Sequence, residues 1–143
     1  MTQQSNWRWC NKCQGLFYAG NPTTGACAAG GGHNWQGSGD YDLDYALASP
    51  GAFQGNWRWC QKCQGLSYGG NSATGACPAG GSHDITASED YFLNTGAGHG
   101  QADWRWCNKC RGLFYTGNPT TGACAAGGGH NWQESGDYTL SHT

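Results

Sequence analysis

The chain has 143 residues, enough for one ordinary domain or a few very small ones. It contains 26 glycines, eight tryptophans and nine cysteines, but no valine and a single isoleucine. Branched aliphatic side chains normally fill a protein core, so this composition predicts a core of aromatic residues and metal. The net charge of −2 argues against a protein whose main role is to neutralise nucleic-acid phosphate.

No apolar stretch approaches the roughly 20 residues that a membrane-spanning helix needs. Residues 1–6 carry neither a basic start nor an apolar run, so we expect no secretory signal. We therefore expect a cytoplasmic protein, or one that is released without a classical signal peptide.

Three copies of one 37-residue unit follow each other, at residues 7–43, 57–93 and 104–140. Each copy begins with Trp-Arg-Trp-Cys, continues through Thr-Gly-Ala-Cys and ends with Asp-Tyr-x-Leu, without internal gaps. A unit this small rarely folds alone without a disulfide, a metal or a partner. The linkers are short, and each copy carries more aromatic residues than it could bury alone. We therefore expect residues 1–143 to form a single domain, one compact pseudo-threefold body rather than beads on a string.

Within the first unit, residues 7–10 alternate between apolar and polar side chains, which predicts a strand with both tryptophans on one face. Residues 16–18 predict a second strand and residues 40–43 a third. The CxxC turn between the first two strands is typical of the knuckle of a zinc ribbon. No segment combines a helical period with capping residues, so we expect an all-β fold of hairpin repeats with little helix.

Three cysteines and one histidine recur in every unit with the spacing C-x2-C-x13-C-x5-H. Three thiolates and one imidazole supply the four ligands of a closed tetrahedral zinc site. We therefore expect three Zn²⁺ ions, one stapling each repeat. The predicted ligands are Cys10, Cys13, Cys27 and His33; Cys60, Cys63, Cys77 and His83; and Cys107, Cys110, Cys124 and His130.

Other interpretations of the cysteines remain open at this point. A disulfide scaffold would leave one of nine cysteines unpaired and gives no reason for a histidine at a fixed offset. A redox CxxC requires a βαβ context, which the sequence does not show, and another metal such as iron could use the same donors. Because four ligands fill the site and no catalytic motif is present, we expect no enzymatic activity.

All seven lysines and arginines lie in the predicted hairpins. Three thiolates and a neutral imidazole leave a zinc site with a net negative charge. We therefore interpret Arg8 and Lys12 as nearby compensating charges rather than as contacts to nucleic acid.

Differences between the repeats indicate which positions face solvent. Phe17 and Phe114 align with Ser67. A core position tolerates the change from phenylalanine to serine poorly, so we expect both phenylalanines on the surface. Trp35 aligns with Ile85, and the first and third repeats are nearly identical where the second differs. The pattern suggests two like sites and one that is altered or lost.

Exposed aromatic rings beside asparagine and aspartate are typical of saccharide recognition, because a flat ring covers the apolar face of a sugar while polar groups bind its hydroxyls. The alternative is that Trp35 and Tyr41 cover the zinc or fill the core between repeats. The candidate ligand-binding residues are Phe17, Asn34, Trp35, Asp40 and Tyr41; Asp90 and Tyr91; and Phe114, Asn131, Trp132, Asp137 and Tyr138.

Two resemblances bear on fold and function. A tryptophan just ahead of a CxxC resembles the Ran-binding-protein type of zinc finger, which binds single-stranded RNA or ubiquitin. Here Trp9 directly precedes Cys10, whereas that family places one residue between them and closes its site with a second CxxC. The Trp-Arg-Trp-Cys-x-Lys-Cys-x-Gly-Leu repeat also resembles tandem units of bacterial and fungal proteins.

The three repeats also resemble β-trefoil and similar threefold lectin scaffolds, although the Gln-x-Trp signature of trefoil lectins is absent. This resemblance implies a β-trefoil-like body. We therefore predict a non-catalytic lectin with multivalent sites and with glycans or glycoconjugates as partners. The alternatives are a zinc-ribbon module that binds protein or single-stranded RNA, and a purely structural or metal-storage protein. The net charge makes nucleic acid the less expected partner.

Overall fold

The structure is a computed structural model that describes residues 2–21, 25–45, 53–70, 75–94, 100–118 and 122–142. These ranges contain nine β-strands and no helix, which confirms the all-β prediction. In consequence, no helix within them is long and apolar enough to cross a membrane. The strands are β1 (Thr2–Trp9), β2 (Leu16–Tyr18), β3 (Tyr41–Tyr45), β4 (Phe53–Trp59), β5 (Leu66–Tyr68), β6 (Tyr91–Asn94), β7 (Gln101–Trp106), β8 (Leu113–Tyr115) and β9 (Tyr138–His142).

Each repeat is a three-stranded antiparallel unit with its longest strand in the middle. In the first repeat, β1 pairs with β2 across the CxxC turn and with β3 on its other edge. The second and third repeats pair their strands in the same way. The three strands predicted from the sequence are confirmed, although β1 begins before residue 7 and β3 continues beyond residue 43.

A β-bulge in the long strand places its tryptophan. The register of β1 with β3 shifts between Gln4 and Trp7, and Asn6 between them has a φ of 75°. The Asn6 amide donates a 2.8 Å hydrogen bond to Oδ1 of Asp40. Bulges bend and twist a strand and so redirect its side chains. Asp40 therefore stabilises the bulge that precedes the buried Trp7, and Asp90 and Asp137 make the same bond in their repeats.

The repeats close into a ring at both ends. At one end the third strands pair with each other, β3 with β6, β6 with β9 and β9 with β3. At the other end the hairpins are joined by single bridges, Gly15 to Phe114, Phe17 to Gly65 and Ser67 to Gly112. The prediction of one pseudo-threefold body is therefore confirmed.

The core between the repeats is aromatic, as the composition predicts. Trp7 is fully buried and packs edge-on against Tyr91 of the second repeat, with 5.2 Å between ring centroids. Trp57 and Tyr138 form the second such pair, and Trp104 and Tyr41 the third. Six buried leucines complete the cluster: Leu16, Leu43, Leu66, Leu93, Leu113 and Leu140.

A glutamine satisfies the polar atoms of each aromatic pair. Oε1 of Gln4 accepts a 2.9 Å hydrogen bond from Nε1 of Trp7 and a 2.8 Å bond from the hydroxyl of Tyr91. Burial raises the pKa of Tyr91 to about 12, so this hydroxyl stays protonated and can donate. Gln54 and Gln101 hold the other two pairs in the same way. Each contact between neighbouring repeats thus combines apolar packing with hydrogen bonds to one glutamine.

The prediction that Phe17 and Phe114 lie on the surface is wrong. Both side chains are 0% exposed, and Ser67 at the equivalent position is only 1% exposed. The closed ring explains the error, because the hairpins bridge one another and each covers the outer face of its neighbour. Phe17 stacks on His33 with ring centroids 4.4 Å apart, and Phe114 stacks on His130 in the same way. Neither phenylalanine can take part in a surface site.

Ring closure predicts different effects for two alanine substitutions at glycines with positive φ. At Gly25 (φ +71°) an added Cβ would lie against the carbonyl of Cys63 in the next repeat, whereas at Gly30 (φ +101°) it would meet no atom within 4 Å. Gly30→Ala should therefore cost about 1 kcal/mol of unfolding free energy, from left-handed backbone strain alone. Gly25→Ala should cost roughly 3 kcal/mol or more, because overpacking against the neighbour adds to the strain.

Denaturant unfolding of the two metal-loaded variants measures this difference. Gly30→Ala is the matched control for backbone strain. Equal unfolding free energies for the two variants would contradict the close contact between the first and second repeats.

Candidate metal centres and the exposed aromatic surface

The four predicted ligands of every repeat come together in space. In each of the three clusters, the four donor atoms lie within 4.8 Å of one another. The cysteines are buried in all three repeats. The structure thus assembles three Cys3His clusters, one per repeat, that can hold a metal ion.

Donor distances test whether a tetrahedral ion fits. Sγ of Cys10 lies 3.8 Å from Sγ of Cys27, and Sγ of Cys13 lies 3.6 Å from Nδ1 of His33. Tetrahedral zinc, with bonds of about 2.3 Å to sulfur and 2.0–2.1 Å to nitrogen, places such donor pairs about 3.8 and 3.6 Å apart. The other repeats reproduce both spacings. The residues therefore fit zinc.

The same spacing excludes the disulfide interpretation for this conformation. Sulfur atoms in a disulfide are about 2.05 Å apart, and all nine cysteines are free. The geometry of the clusters therefore fits a metal site and not a crosslink.

Backbone geometry around each cluster stabilises the thiolates. The knuckle closes with a 2.9 Å hydrogen bond from the Cys10 amide to the Gly15 carbonyl, and Gln14 in this turn has a φ of 67°. Each sulfur also accepts one backbone N–H at 3.4 Å, from Gly15, Ala29 and Asn34 to Cys13, Cys27 and Cys10 respectively. Hydrogen bonds to sulfur favour the charged form that binds metal.

Lys12 holds the loop that carries the last two ligands. Its Nζ donates to the carbonyls of Gly30 and Gly32, at 2.6 and 2.9 Å. Lys62 and Lys109 make the same pair of bonds in their repeats. The lysine thus connects the knuckle to the segment between the third cysteine and the histidine, besides placing a positive charge near the cluster.

Protons and metal compete for each cluster. A hydrogen bond with Cys13 lowers the pKa of the Cys10 thiol, while the same contact raises the pKa of Cys13. Burial by itself lowers the pKa of His33, but hydrogen bonds with Cys10 and Cys27 raise it to about 9. Metal binding near neutral pH must therefore displace protons, so metal affinity should fall as the pH falls.

Each histidine also reaches the next repeat. Nδ1 of His33 faces its own cluster, and Nε2 lies 3.0 Å from the carbonyl oxygen of Cys63. His83 makes the same contact with Cys110, and His130 with Cys13. A metal on Nδ1 leaves the proton on Nε2, where it donates to that carbonyl and fixes the ring. Three metal clusters are thus linked head to tail around the axis.

Two tryptophans lie exposed beside the metal clusters. Trp35 and Trp132 are each 43% exposed. They are the only large apolar side chains in the described ranges that are exposed to solvent. Trp35 borders an open depression of about 390 Å³ together with His33, Asn34 and Gln36. Trp132 borders one of about 490 Å³ formed by residues 130–135.

An arginine and an aspartate support each exposed ring. The guanidinium of Arg8 lies 4.7 Å from the centroid of the Trp35 ring and 3.5 Å from Oδ2 of Asp40. Arg105 repeats this arrangement, 4.9 Å from Trp132 and 3.5 Å from Asp137. Arg8 and Arg105 therefore hold their tryptophans in place.

The remaining candidate ligand residues divide into two groups. Asn34 and Asn131 are exposed beside the tryptophans, and Oδ1 of Asn34 accepts from the Gln36 amide at 3.0 Å. The three tyrosines do not join this surface. They are 4–5% exposed and belong to the core between repeats, as the alternative interpretation held for Tyr41: Tyr41, Tyr91 and Tyr138.

Sequence reasoning missed two structural side chains. Oγ of Ser38 accepts a 2.8 Å hydrogen bond from the Trp9 amide, and Ser88 and Ser135 do the same in their repeats. The second is Gln4, which accepts hydrogen bonds from Trp7 and Tyr91. The sequence did contain a signal for both, because the serine and the glutamine each occur at the equivalent position of all three repeats.

Comparison with known proteins gave no match to a family model, to a curated protein or to a solved structure.

Removing the metal should unfold the protein. Metal binding contributes about 10–16 kcal/mol in small zinc-stabilised peptides, on the order of the whole net stability of a domain. We expect three metal ions per chain by elemental analysis. A strong chelator should abolish the near-UV circular dichroism of the buried tryptophans. A signal that survives complete stripping would contradict a folding role for the metal.

Loss of one cluster should weaken the other two. Cys77→Ser removes a ligand from the second cluster, whose histidine otherwise donates to Cys110 in the third. We expect the purified variant to retain fewer than two metal ions after dialysis against a weak chelator. The same treatment of the unchanged protein should leave three metal ions. Retention of two ions by Cys77→Ser would indicate independent clusters and contradict the coupling.

Proposed function

We propose that this chain is a non-catalytic carbohydrate-binding protein whose repeats are stabilised by three zinc ions. The observation that carries the proposal is the exposed tryptophan of repeats one and three, which borders an open depression and is supported by an arginine. A flat ring offered to solvent on a rigid base suits the apolar face of a sugar.

Zinc is the proposed ion because three thiolates and one imidazole at tetrahedral spacing are its preferred structural donors. Four protein ligands fill that geometry. A catalytic zinc keeps a position open for water or substrate, so the arrangement supports a structural ion and a protein without catalytic activity.

The metal cluster and the proposed sugar site are adjacent along the chain. His33 is a predicted ligand, Asn34 follows it, and Trp35 comes next. The Asn34 amide donates to Sγ of Cys10, which ties this segment to the cluster. Arg8 covers one face of the Trp35 ring, so a sugar would stack on the opposite face. The exposed Asn34 and Gln36 are placed to bind hydroxyls.

The second repeat lacks this site. Ile85 replaces the tryptophan and is half-buried, and Asp84 replaces the asparagine. Arg58 keeps an ion pair with Asp90, at 3.9 Å, but has no ring to cover. We therefore propose two like sites per chain, at Trp35 and Trp132. Two sites on one rigid body raise the avidity for multivalent glycans without changing the affinity of either site.

A second candidate is binding of single-stranded RNA or of a protein. The arginine-covered tryptophans favour it, because stacked aromatic and guanidinium groups also bind bases. The net charge of −2 weighs against it. Salt dependence separates the two proposals, since RNA binding weakens steeply with ionic strength and sugar binding does not.

A glycan array probed with the zinc-loaded protein tests the proposal. We expect selective binding to one glycan family, reduced by Trp35→Ala or Trp132→Ala and abolished by the double variant. Both rings are exposed, so the variants should stay folded, with changes in unfolding free energy within about 1 kcal/mol.

Ile85→Ala is the matched control, because it alters the equivalent position of the repeat without a ring. Near-UV circular dichroism and zinc content verify that each variant is folded. A blank array at high protein concentration, or binding that survives the double variant, would overturn the carbohydrate proposal and leave the metal sites unaffected.

A further inference from the structure

A cavity lies on the pseudo-threefold axis at the end away from the metal clusters, and its walls are partly apolar, from Leu43, Phe92, Leu93 and Leu140. It has a volume of about 220 Å³ and sits where β3, β6 and β9 meet. Its polar lining comes from all three repeats: Gln3, Asp42, Asp44, Asn94, Thr139 and Ser141. Neither the metal centres nor the exposed tryptophans use it.

The threefold repetition is broken in this cavity by acidic residues. Asp44 aligns with Asn94 in the second repeat and with Ser141 in the third. Asp42 aligns with Phe92 and Thr139. The first repeat alone therefore brings two carboxylates to the axis. Both sit on β3 two residues apart, so they project to the same side of the strand.

One of these carboxylates is buried and has one oxygen without a hydrogen-bond partner. Asp44 is 7% exposed, and its Oδ1 is shielded from solvent and accepts no hydrogen bond. Burial of an ionised carboxylate is unfavourable unless a charge or hydrogen-bond donor balances it. All seven lysines and arginines lie in the hairpins, and none lines the cavity. The described residues that line the cavity thus include no lysine, arginine or histidine to balance Asp44.

The donors around the cavity are oxygens of carboxylate, amide and hydroxyl groups, with no thiol among the described lining residues. Oxygen donors select hard cations such as Ca²⁺, which accepts six to eight oxygens from protein and water at about 2.3–2.6 Å. A volume of about 220 Å³ leaves room for an ion that keeps part of its hydration shell.

We propose that this axial cavity binds one hard divalent cation, of which Ca²⁺ is the best fit, with Asp44 and Asp42 as its charged ligands. The ion would balance the buried carboxylate and connect the three third strands at their meeting point. This site is chemically distinct from the thiolate clusters, because soft donors hold the metal there and hard donors hold it here.

Calorimetric titration of Ca²⁺ into the zinc-loaded protein tests this proposal. Free zinc is first removed by gel filtration, and no chelator is present. We expect one ion per chain with a Kd on the order of 10⁻⁴–10⁻³ M, the range of weakly charged extracellular calcium modules. Saturating Ca²⁺ should also raise the melting temperature, because the ion binds the folded state.

Two substitutions taken from the chain's own repeats serve as variants. Asp44→Asn introduces the residue found in the second repeat, and Asp42→Thr introduces the residue found in the third. Each should weaken Ca²⁺ binding at least tenfold and remove the shift in melting temperature. Glu134→Gln, an exposed acid outside the cavity, is the control and should bind Ca²⁺ unchanged.

Three outcomes would overturn the proposal: no heat and no melting shift at millimolar Ca²⁺, unchanged binding in Asp44→Asn, or equal loss in Glu134→Gln. Near-UV circular dichroism and zinc content verify folding of each variant, and Asp42→Thr decides the question if Asp44→Asn does not fold. Calcium binding by the Trp35→Ala, Trp132→Ala protein separates this site from the proposed sugar sites.

Discussion

The hydrogen bond between each cluster's histidine and the next repeat's knuckle is the constraint on which the rest of the structure depends. One nitrogen of His33 faces the donors of its own repeat, and the other meets the carbonyl of Cys63. The imidazole can satisfy both only when the metal cluster and the neighbouring hairpin are formed together. Metal binding within one repeat thereby also stabilises the contact with the next repeat and so the closed ring. A 37-residue unit has too little apolar surface of its own to fold stably without such help.

Neighbouring repeats are joined in both directions. At the hairpin end, the first repeat donates from His33 to the second, and at the core end the second donates from Tyr91 to Gln4 of the first. The edge-on contact between Trp7 and Tyr91 lies at the same joint. Each pair of repeats therefore has one polar connection near the metal and one aromatic connection near the axis. The bulge at Asn6 turns the strand that runs between the polar and the aromatic connection, so that both can form.

Repetition made the metal ligands and the strands predictable, because spacing and alternation are local properties stated three times. Solvent exposure of a side chain depends on the packing of all three repeats, and the prediction from sequence failed there. Phe17 and Ser67 occupy the same buried position, since three similar hairpins packed around an axis can differ in the volume of one side chain without any of them facing solvent. Gln4 escaped notice because its role depends on Tyr91, which lies 87 residues away.

The positions that break the threefold pattern now fall into separate physical classes. Where a differing side chain is buried among apolar neighbours, as at Phe17, the difference concerns packing. Where it is exposed and supported by fixed partners, as at Trp35, it concerns a surface that the fold does not need. Asp44 belongs to neither class, because it is an acidic residue that is buried and has no hydrogen-bond donor at Oδ1. A buried acid that stability alone would disfavour is accounted for by the cation that we propose binds it. One ion per chain is enough, because only the first repeat carries acids at these positions.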